Sequence, residues 1–376
     1  MKITILSHNL SSNAVMRAHR LAVAARSFAD VKLIGPVEGK GPWPALPKES
    51  WIHSVEERRF PRFFLSLLQL VEAADGDALI AVKPHLASFG AGLISAEQRA
   101  VPLILDHDDL DVAFTPRAEW AEHPSMADLR RSGSAIYVSL LTKASPGASA
   151  ITVASSALQS RFGGTLVPHG SLTEMFDPAT INRQKARAEF GFTGPTVLFA
   201  GTPRWHKGLK PLAKAVNKIA GTRLAVLCRP EDLSEAQWQR FSLLRLPMIS
   251  YQDFPKLLAA CDVVAIPQLD TEAGRYQMPM KVYDCMAMAK PIVASTISDL
   301  PATLEDCGRL VPPGDVDALV EAIADLLTNA EAARALGEKA RARCLESFSM
   351  TRISHDLLGV VNRVLRRSDT ATKGKP

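Results

Sequence analysis

Short apolar runs alternate with helical patterns along most of this chain. Ile3 to Leu6 runs into a polar turn holding His8, Asn9, Ser11, Ser12 and Asn13. A helical stretch follows with Ala14, Ala18, Leu21, Ala22 and Ala25 on one face. The same pattern predicts strands at Val31 to Ile34, Ala78 to Val82, Leu103 to Leu105 and Ala150 to Val153. Beyond Pro168 it restarts with Thr196 to Ala200, Leu224 to Leu227, Asp262 to Ile266 and Ile292 to Ala294. Val316, Leu319, Val320, Ile323, Leu326 and Leu327 mark an amphipathic helix, and a last helical stretch runs from about Ser349 to Leu365. Strands alternating with helices imply a parallel sheet covered on both faces, here twice over. The expected fold class is α/β, with two doubly wound Rossmann-like domains facing across a cleft. Ligands of such sheets bind at the carboxyl ends of strands, where strand order reverses.

The expected division is a first domain over 1–170, joined by the C-terminal helix 350–366, and a second over 195–349. The Gly- and Pro-containing segment 171–194 reads as a linker, and the polar tail 367–376 as disordered. A chain of 376 residues is long for one core, which fits two domains. Forty-four basic against thirty-nine acidic residues leave +5, too mild to imply nucleic acid, though compatible with anionic membrane surfaces or phosphorylated substrates. Five scattered cysteines without CxxC spacing argue against a disulfide framework and against zinc, and suit a reducing cytoplasm. The apolar start is too short for a signal peptide and reads as a buried strand. No uninterrupted apolar stretch reaches the roughly 18 residues of a membrane span, so any membrane contact is expected to be peripheral, at the inner face of the cytoplasmic membrane.

Candidate chemistry concentrates in the second half. Phe199 to Gly208 places Gly201, Thr202, Arg204 and Lys207 between a strand and a helix start. Two cations and a turn's backbone N–H groups make a cradle for a diphosphate; the competing account is an ordinary solvated loop. In Gln277 to Ser295, Asp284 is the only carboxylate on an apolar helix that runs into a strand. A carboxylate there accepts hydrogen bonds from ribose hydroxyls, or alternatively caps a helix or pairs with a base.

Together these segments resemble the retaining glycosyltransferases of family 4, which have the GT-B fold. The resemblance covers nearly the whole chain and is most specific from about Ala150 to Pro313. It rests on Ala150 to Ser155, Val167-Pro168-His169-Gly170, Phe176-Asp177-Pro178, Gly201 to Gly208, Asp284 to Ser295 and Leu310 to Asp315, in the family's order. It implies that Arg204 and Lys207 hold the donor diphosphate and stabilise the leaving group, and that Asp284 binds ribose. The family's acidic pair, E-x7-E, departs here: Asp284 stands for the second Glu, and Tyr276 for the first. Glu272 is the candidate substitute at the donor sugar, with Gln277, Met278, Pro279 and Met280 beside it. Arg229, Tyr251 and Gln252 occupy the positions where this fold receives the base; the competing account of each is a plain surface loop.

In the first half, Leu105-Asp106-His107-Asp108-Asp109-Leu110-Asp111 follows an apolar strand. Like charges this close raise one another's pKa. D-x-D occurs twice within it, but the cationic diphosphate loop makes a metal redundant, so no metal and no cofactor are expected. The family resemblance implies that His107 or Asp109 polarises the acceptor oxygen; helix capping is the structural alternative. Asn9, Ser12 and Asn13 of the first turn, Lys83 at another strand end, Asp108, and His169 at the hinge complete the acceptor-side candidates. His8, His19, His53, His123 and His355 receive no role. Arg58-Arg59-Phe60-Pro61-Arg62-Phe63-Phe64-Leu65 admits two readings, docking on an anionic bilayer or the start of a core helix with solvated charges.

The expected function is transfer of a hexose-type sugar from a nucleotide-sugar donor to a glycan or lipid-linked acceptor, in cell-surface polysaccharide or glycolipid synthesis. The rivals are a nucleotide-sugar epimerase on the same fold and a non-catalytic nucleotide-sugar-binding subunit.

Overall fold

The first apolar run of the chain becomes the third strand of a seven-stranded, wholly parallel sheet. The computed structural model describes residues 1–39, 41–114, 129–233 and 238–373, and the chain divides into two units, Met1–His169 with Met350–Pro376, and Gly170–Ser349.

The strands of the first unit are β1 (Lys2–Ser7), β2 (Asp30–Val37), β3 (Ile52–Glu56), β4 (Ala78–Val82), β5 (Leu103–His107), β6 (Ala150–Val153) and β7 (Thr165–Leu166). Their order is β3-β2-β1-β4-β5-β6-β7. Ile5 lies opposite Leu33 on one side and Ile80 on the other, so the sheet centre is apolar at this level. Strand order reverses between β1 and β4. The polar residues after Ser7 and Val82 therefore emerge side by side, as a doubly wound sheet requires of a ligand site. Helices α1 (Val15–Ala25), α2 (Phe63–Ala73), α3 (Ala91–Arg99), α4 (Ala135–Lys143) and α5 (Ser156–Phe162) cover this sheet.

The second unit repeats the plan. Strands β8 (Thr196–Phe199), β9 (Arg223–Leu227), β10 (Leu243–Leu246), β11 (Val263–Ile266), β12 (Ile292–Ser295) and β13 (Arg309–Val311) are ordered β10-β9-β8-β11-β12-β13. The reversal falls between β8 and β11, where Leu198 lies opposite Val264. Its helices are α6 (Arg183–Glu189), α7 (Leu209–Asn217), α8 (Phe254–Ala260), α9 (Glu272–Tyr276), α10 (Lys281–Ala287), α11 (Leu300–Leu304), α12 (Val316–Thr328) and α13 (Ala330–Ser347). The last helix, α14 (Met350–Lys373), returns to the first unit.

Three expectations change. The segment 171–194 is not a bare linker: it carries α6, which packs on α8, and it belongs to the second unit. Arg187 anchors it, donating to the Ala260 and Gly194 carbonyls and pairing with Asp262. The final helix continues past Leu365 to Lys373, taking in part of the expected tail, whose residues 374–376 lie outside the described residues. And α1 is buried on nearly every side, Val23 excepted, instead of on one face. Its second side is covered by α14, through buried Ile353, Leu357, Val360 and Val364. His123 lies outside the described residues. All five cysteines are buried and unbridged. Among the described residues, no helix is long and apolar enough to cross a membrane.

Candidate functional site

In the second unit, β8 ends at Phe199 and the chain turns at once, Gly201 N–H donating to the Phe199 carbonyl at 3.0 Å. A single helical turn, Trp205–Lys207, then leads through Gly208 into α7. Gly208 has φ +69°, and a Cβ on it would fall 1.8 Å from the Pro267 carbonyl oxygen. Only glycine satisfies both demands. The basic loop is thereby held against the end of β11, and Leu269 N–H donates to the His206 carbonyl at 2.8 Å. The Lys207 side chain lies over Gly201, its Nζ 3.5 Å from where a Cβ there would stand. Arg204 and Trp205 are exposed, Trp205 to 67%. This exposed tryptophan beside two cations is a residue that the motifs of the sequence do not single out.

The two motifs of this half meet through side chains. His206, fully buried, donates from Nε2 to Gln277 Oε1 at 3.0 Å. Burial pushes its imidazole down to about 4; Lys207 and Arg204 add to that against the Gln277 bond, so the ring is neutral at neutral pH. Gln268, at the end of β11, donates to the Gly274 and Gln277 carbonyls, shaping the turn that carries Glu272. Glu272 opens α9 half-buried, behind the Thr271 cap that accepts from Gly274 N–H. Gln277, Pro279 and Met280 are half-buried at the same place. Met278 is not available to a sugar: its side chain is in the core.

Asp284 lies on the expected helix, but its carboxylate faces inward. It is fully buried on the inward side of α10, and its carboxylate accepts from Ser171 Oγ at 2.9 Å and from Tyr251 OH at 3.3 Å. A carboxylate so enclosed does not present itself to a ribose in this conformation; it ties α10 to the segment after His169 and to the turn before α8. Tyr251, expected at the base, is likewise buried as its partner. Asp284→Ala is expected to lower the unfolding free energy of the second unit by about 2 kcal/mol, because two buried hydroxyls lose their acceptor. An unchanged urea midpoint with loss of nucleotide affinity alone would return Asp284 to the ribose. Gln252 is exposed beside Tyr251, and Arg229 is exposed and paired with Asp232 at 2.8 Å.

In the first unit the acid-rich run falls at the end of β5, and strand alternation splits it. Asp106 faces α1, where Arg17 grips it with Nε at 2.9 Å and Nη2 at 2.8 Å, both side chains fully buried. Thr152 Oγ1 also donates to Asp106, and Arg17 reaches the Val167 and Pro168 carbonyls. His107 faces the other way. It is buried, stacked on Phe162 with ring centroids 4.0 Å apart, and in contact with Ser145 Oγ at 3.2 Å. Burial pushes it down to about 4. The expected role for His107 on the acceptor is therefore corrected: the alternation that aims Asp106 at α1 turns His107 into the packing beneath α5.

The remaining carboxylates converge on Lys83. This residue ends β4 with φ +69°, in the left-handed region that a lysine adopts at a cost. That turn carries its ammonium to 2.5 Å from Asp109, 3.2 Å from Asp111 and 3.6 Å from Asp108. Burial alone would push Lys83 down, but the three carboxylates hold it above the ordinary lysine range. Burial likewise pushes Asp108 and Asp111 up, and Lys83 outweighs it, helped by His169 at Asp108 and His85 at Asp111, so both stay below the usual carboxylate range. Asp109 goes the other way: burial and the neighbouring carboxylates raise it despite Lys83. It is the carboxyl of this group most ready to take a proton. His169 Nε2 stands 3.1 Å from Asp108, and His85 Nε2 3.2 Å from Asp111. His8, given no role above, stacks on His85 with centroids 4.2 Å apart. Asn9 is engaged with Glu38 at 2.7 Å and receives Ser11 N–H, while Ser12 and Asn13 start α1 through their carbonyls. Among the described residues, no group of three His, Cys, Asp or Glu side chains is arranged to hold a metal ion.

A chain carrying two parallel, doubly wound sheets of this order has the GT-B fold, and comparison with solved structures places it there. It aligns with sucrose-phosphate synthase from Thermosynechococcus elongatus at 18% identity, over 98% of this chain and 100% of that one, with TM-score 0.73. It aligns with Anabaena HepE in complex with UDP and glucose at 19% identity, over 96% and 99%, with TM-score 0.72. Residues 194–329 match the family described as glycosyl transferases group 1. A curated relative is the MMP alpha-(1->4)-mannosyltransferase of Mycolicibacterium hassiacum, 32% identical over 122 residues, which are 32% of this chain and 28% of the relative. The chain spans between 28% and 56% of the length of the curated relatives it matches.

Proposed function

We propose that this protein is a retaining glycosyltransferase that moves a hexose-type sugar from a nucleotide-sugar donor to a glycan or lipid-linked acceptor in the cytoplasm. The observation that carries this reading is the Gly201–Gly208 turn. It is a cationic strand-to-helix connection at the point where strand order reverses, inside the segment that matches the family. The complex of HepE with UDP and glucose and the mannosyltransferase relative support a nucleoside diphosphate leaving group and a hexose.

On this reading Arg204 and Lys207 offset the charge that develops on the leaving diphosphate, where fixed positive groups are most effective. The same-face attack that retention requires needs no covalent sugar intermediate, the leaving phosphate itself assisting deprotonation of the acceptor. In the first unit, Asp109, with its raised pKa, is the group fitted to accept a hydrogen bond from the acceptor hydroxyl. Lys83 positions it. Positive charge comes from side chains, so the reading includes no cofactor and no metal.

Thermal-shift titration with UDP-, GDP-, ADP- and dTDP-sugars is expected to single out one base by a rise in melting temperature of several degrees. NMR of the selected donor then discriminates the rivals. Slow donor hydrolysis without acceptor supports the transferase. Interconversion of the free nucleotide sugar would make the protein an epimerase, and binding without any turnover would make it a binding subunit.

A further inference from the structure

Helix α2 has no charged residue between Phe63 and Val71, its sequence reading FFLSLLQLV before Glu72. One face is accounted for: Phe63, Ser66, Leu70 and Val71 are buried, and Leu70 and Val71 join the core beside β4 and α3. The opposite face is apolar too. Phe64, Leu65 and Leu68, one helical turn apart on one side, are exposed to 47%, 46% and 59%. Phe60, just before the helix, is exposed to 40%. Among the described residues nine large hydrophobic side chains are at least 40% exposed, and four of them fall within Phe60–Leu68.

The first two turns of α2 are apolar on all sides, with exposed Gln69 and Glu72 only beyond them, and an apolar outer face of this kind is one that leaves water. What covers this one is indicated by its surroundings. Arg58, Arg59 and Arg62 precede the helix, and the guanidinium of Arg130 stands 5.8 Å from the Phe60 ring centre. Of the nearby acids, Glu56 pairs with Arg58 at 3.6 Å. Glu57 accepts from Ser132 Oγ, and burial raises its pKa. A second copy of this face would bring arginines against arginines, so the charge pattern disfavours self-association. Apolar side chains ringed by cations match the boundary between anionic headgroups and acyl chains.

We propose that the outer face of α2, with Phe60, Phe64, Leu65 and Leu68 inserted and Arg58, Arg59, Arg62 and Arg130 at the headgroups, docks this protein on an anionic lipid bilayer. The surface contains none of the candidate donor and acceptor residues and does not depend on which sugar is transferred.

The test is sedimentation of the full chain with vesicles of phosphatidylcholine alone and of phosphatidylcholine with about one third phosphatidylglycerol. Binding to the anionic vesicles is expected to be at least about tenfold tighter, and to weaken as salt is raised. The double variant F64Q/L68Q should lose about tenfold or more of that affinity, and R58Q/R59Q/R62Q should lose the salt-dependent part. F64Q/L68Q changes exposed positions and R58Q/R59Q/R62Q changes exposed Arg59 and Arg62 with half-buried Arg58, and circular-dichroism melting of the same samples checks the fold. Equal binding of the parent chain to both vesicle types would overturn the proposal. So would unaltered binding by F64Q/L68Q, or a protein dimer in ultracentrifugation without lipid that F64Q/L68Q dissociates, which would make the face a contact between copies.

Discussion

Lys207→Ala is expected to lower kcat by about 10²- to 10³-fold or more, with melting temperature and circular dichroism close to those of the parent chain. The loop's conformation is set by its neighbours. His206 is buried and bonded to Gln277, and Gly208 is pressed on the Pro267 carbonyl. Lys207 itself is only half-buried and extends over Gly201. Removing its ammonium therefore deletes a positive charge at the proposed diphosphate without disturbing the backbone that presents it. Gly208→Ala is the contrasting control. Its Cβ cannot fit, so it should lose folding and activity together. If Lys207→Ala kept near-normal turnover with the donor chosen by thermal shift, the diphosphate assignment would fail.

Lys83→Met is expected to cost about 3–5 kcal/mol of stability at neutral pH, because it leaves Asp108, Asp109 and Asp111 as clustered, buried carboxylates without their cation. The pH dependence gives a sharper check. In the parent chain Asp108 and Asp111 titrate below their unfolded values, so their contribution is present above a pH near 4 and is lost as the pH falls further. Lys83 titrates above its unfolded value, so its contribution persists through neutral pH. Asp109, already raised, opposes the other two carboxylates. Without Lys83 all three carboxyls are expected to rise above their unfolded values. Folded protein then binds more protons than unfolded, and stability falls as pH rises. Urea unfolding at pH 4 and pH 7 should show the deficit of Lys83→Met growing with pH. A deficit that is constant across this range would mean that Lys83 acts by packing alone.

The architecture was legible to an instructive degree. The nine inner strands, β1, β2, β4, β5, β6, β8, β9, β11 and β12, are those that the apolar runs predict. The four strands without such a signal, β3, β7, β10 and β13, are the four sheet edges. An inner parallel strand is covered on both faces and is largely apolar, whereas an edge strand tolerates polar positions and short length. Ile52–Glu56 has no fully buried residue, and β7 is two residues long. Helix α13 escaped notice because its buried side consists largely of small residues, Ala333, Gly337, Ala340 and Cys344, which carry little periodic signal.

The sequence by itself determined the alternation of strand and helix, the two sheets, and the cationic turn from Gly201 to Gly208. These follow from local period and composition, which act over a few neighbouring residues. Tertiary structure alone decided what the polar side chains do. It turned His107 into packing and joined His8 and His85 to the Lys83 cluster. It closed Arg17 on Asp106, 89 positions away, and enclosed Asp284 between Ser171 and Tyr251. The partner of a polar group is set by which strand ends the sheet order brings together, and that order joins residues far apart in the chain.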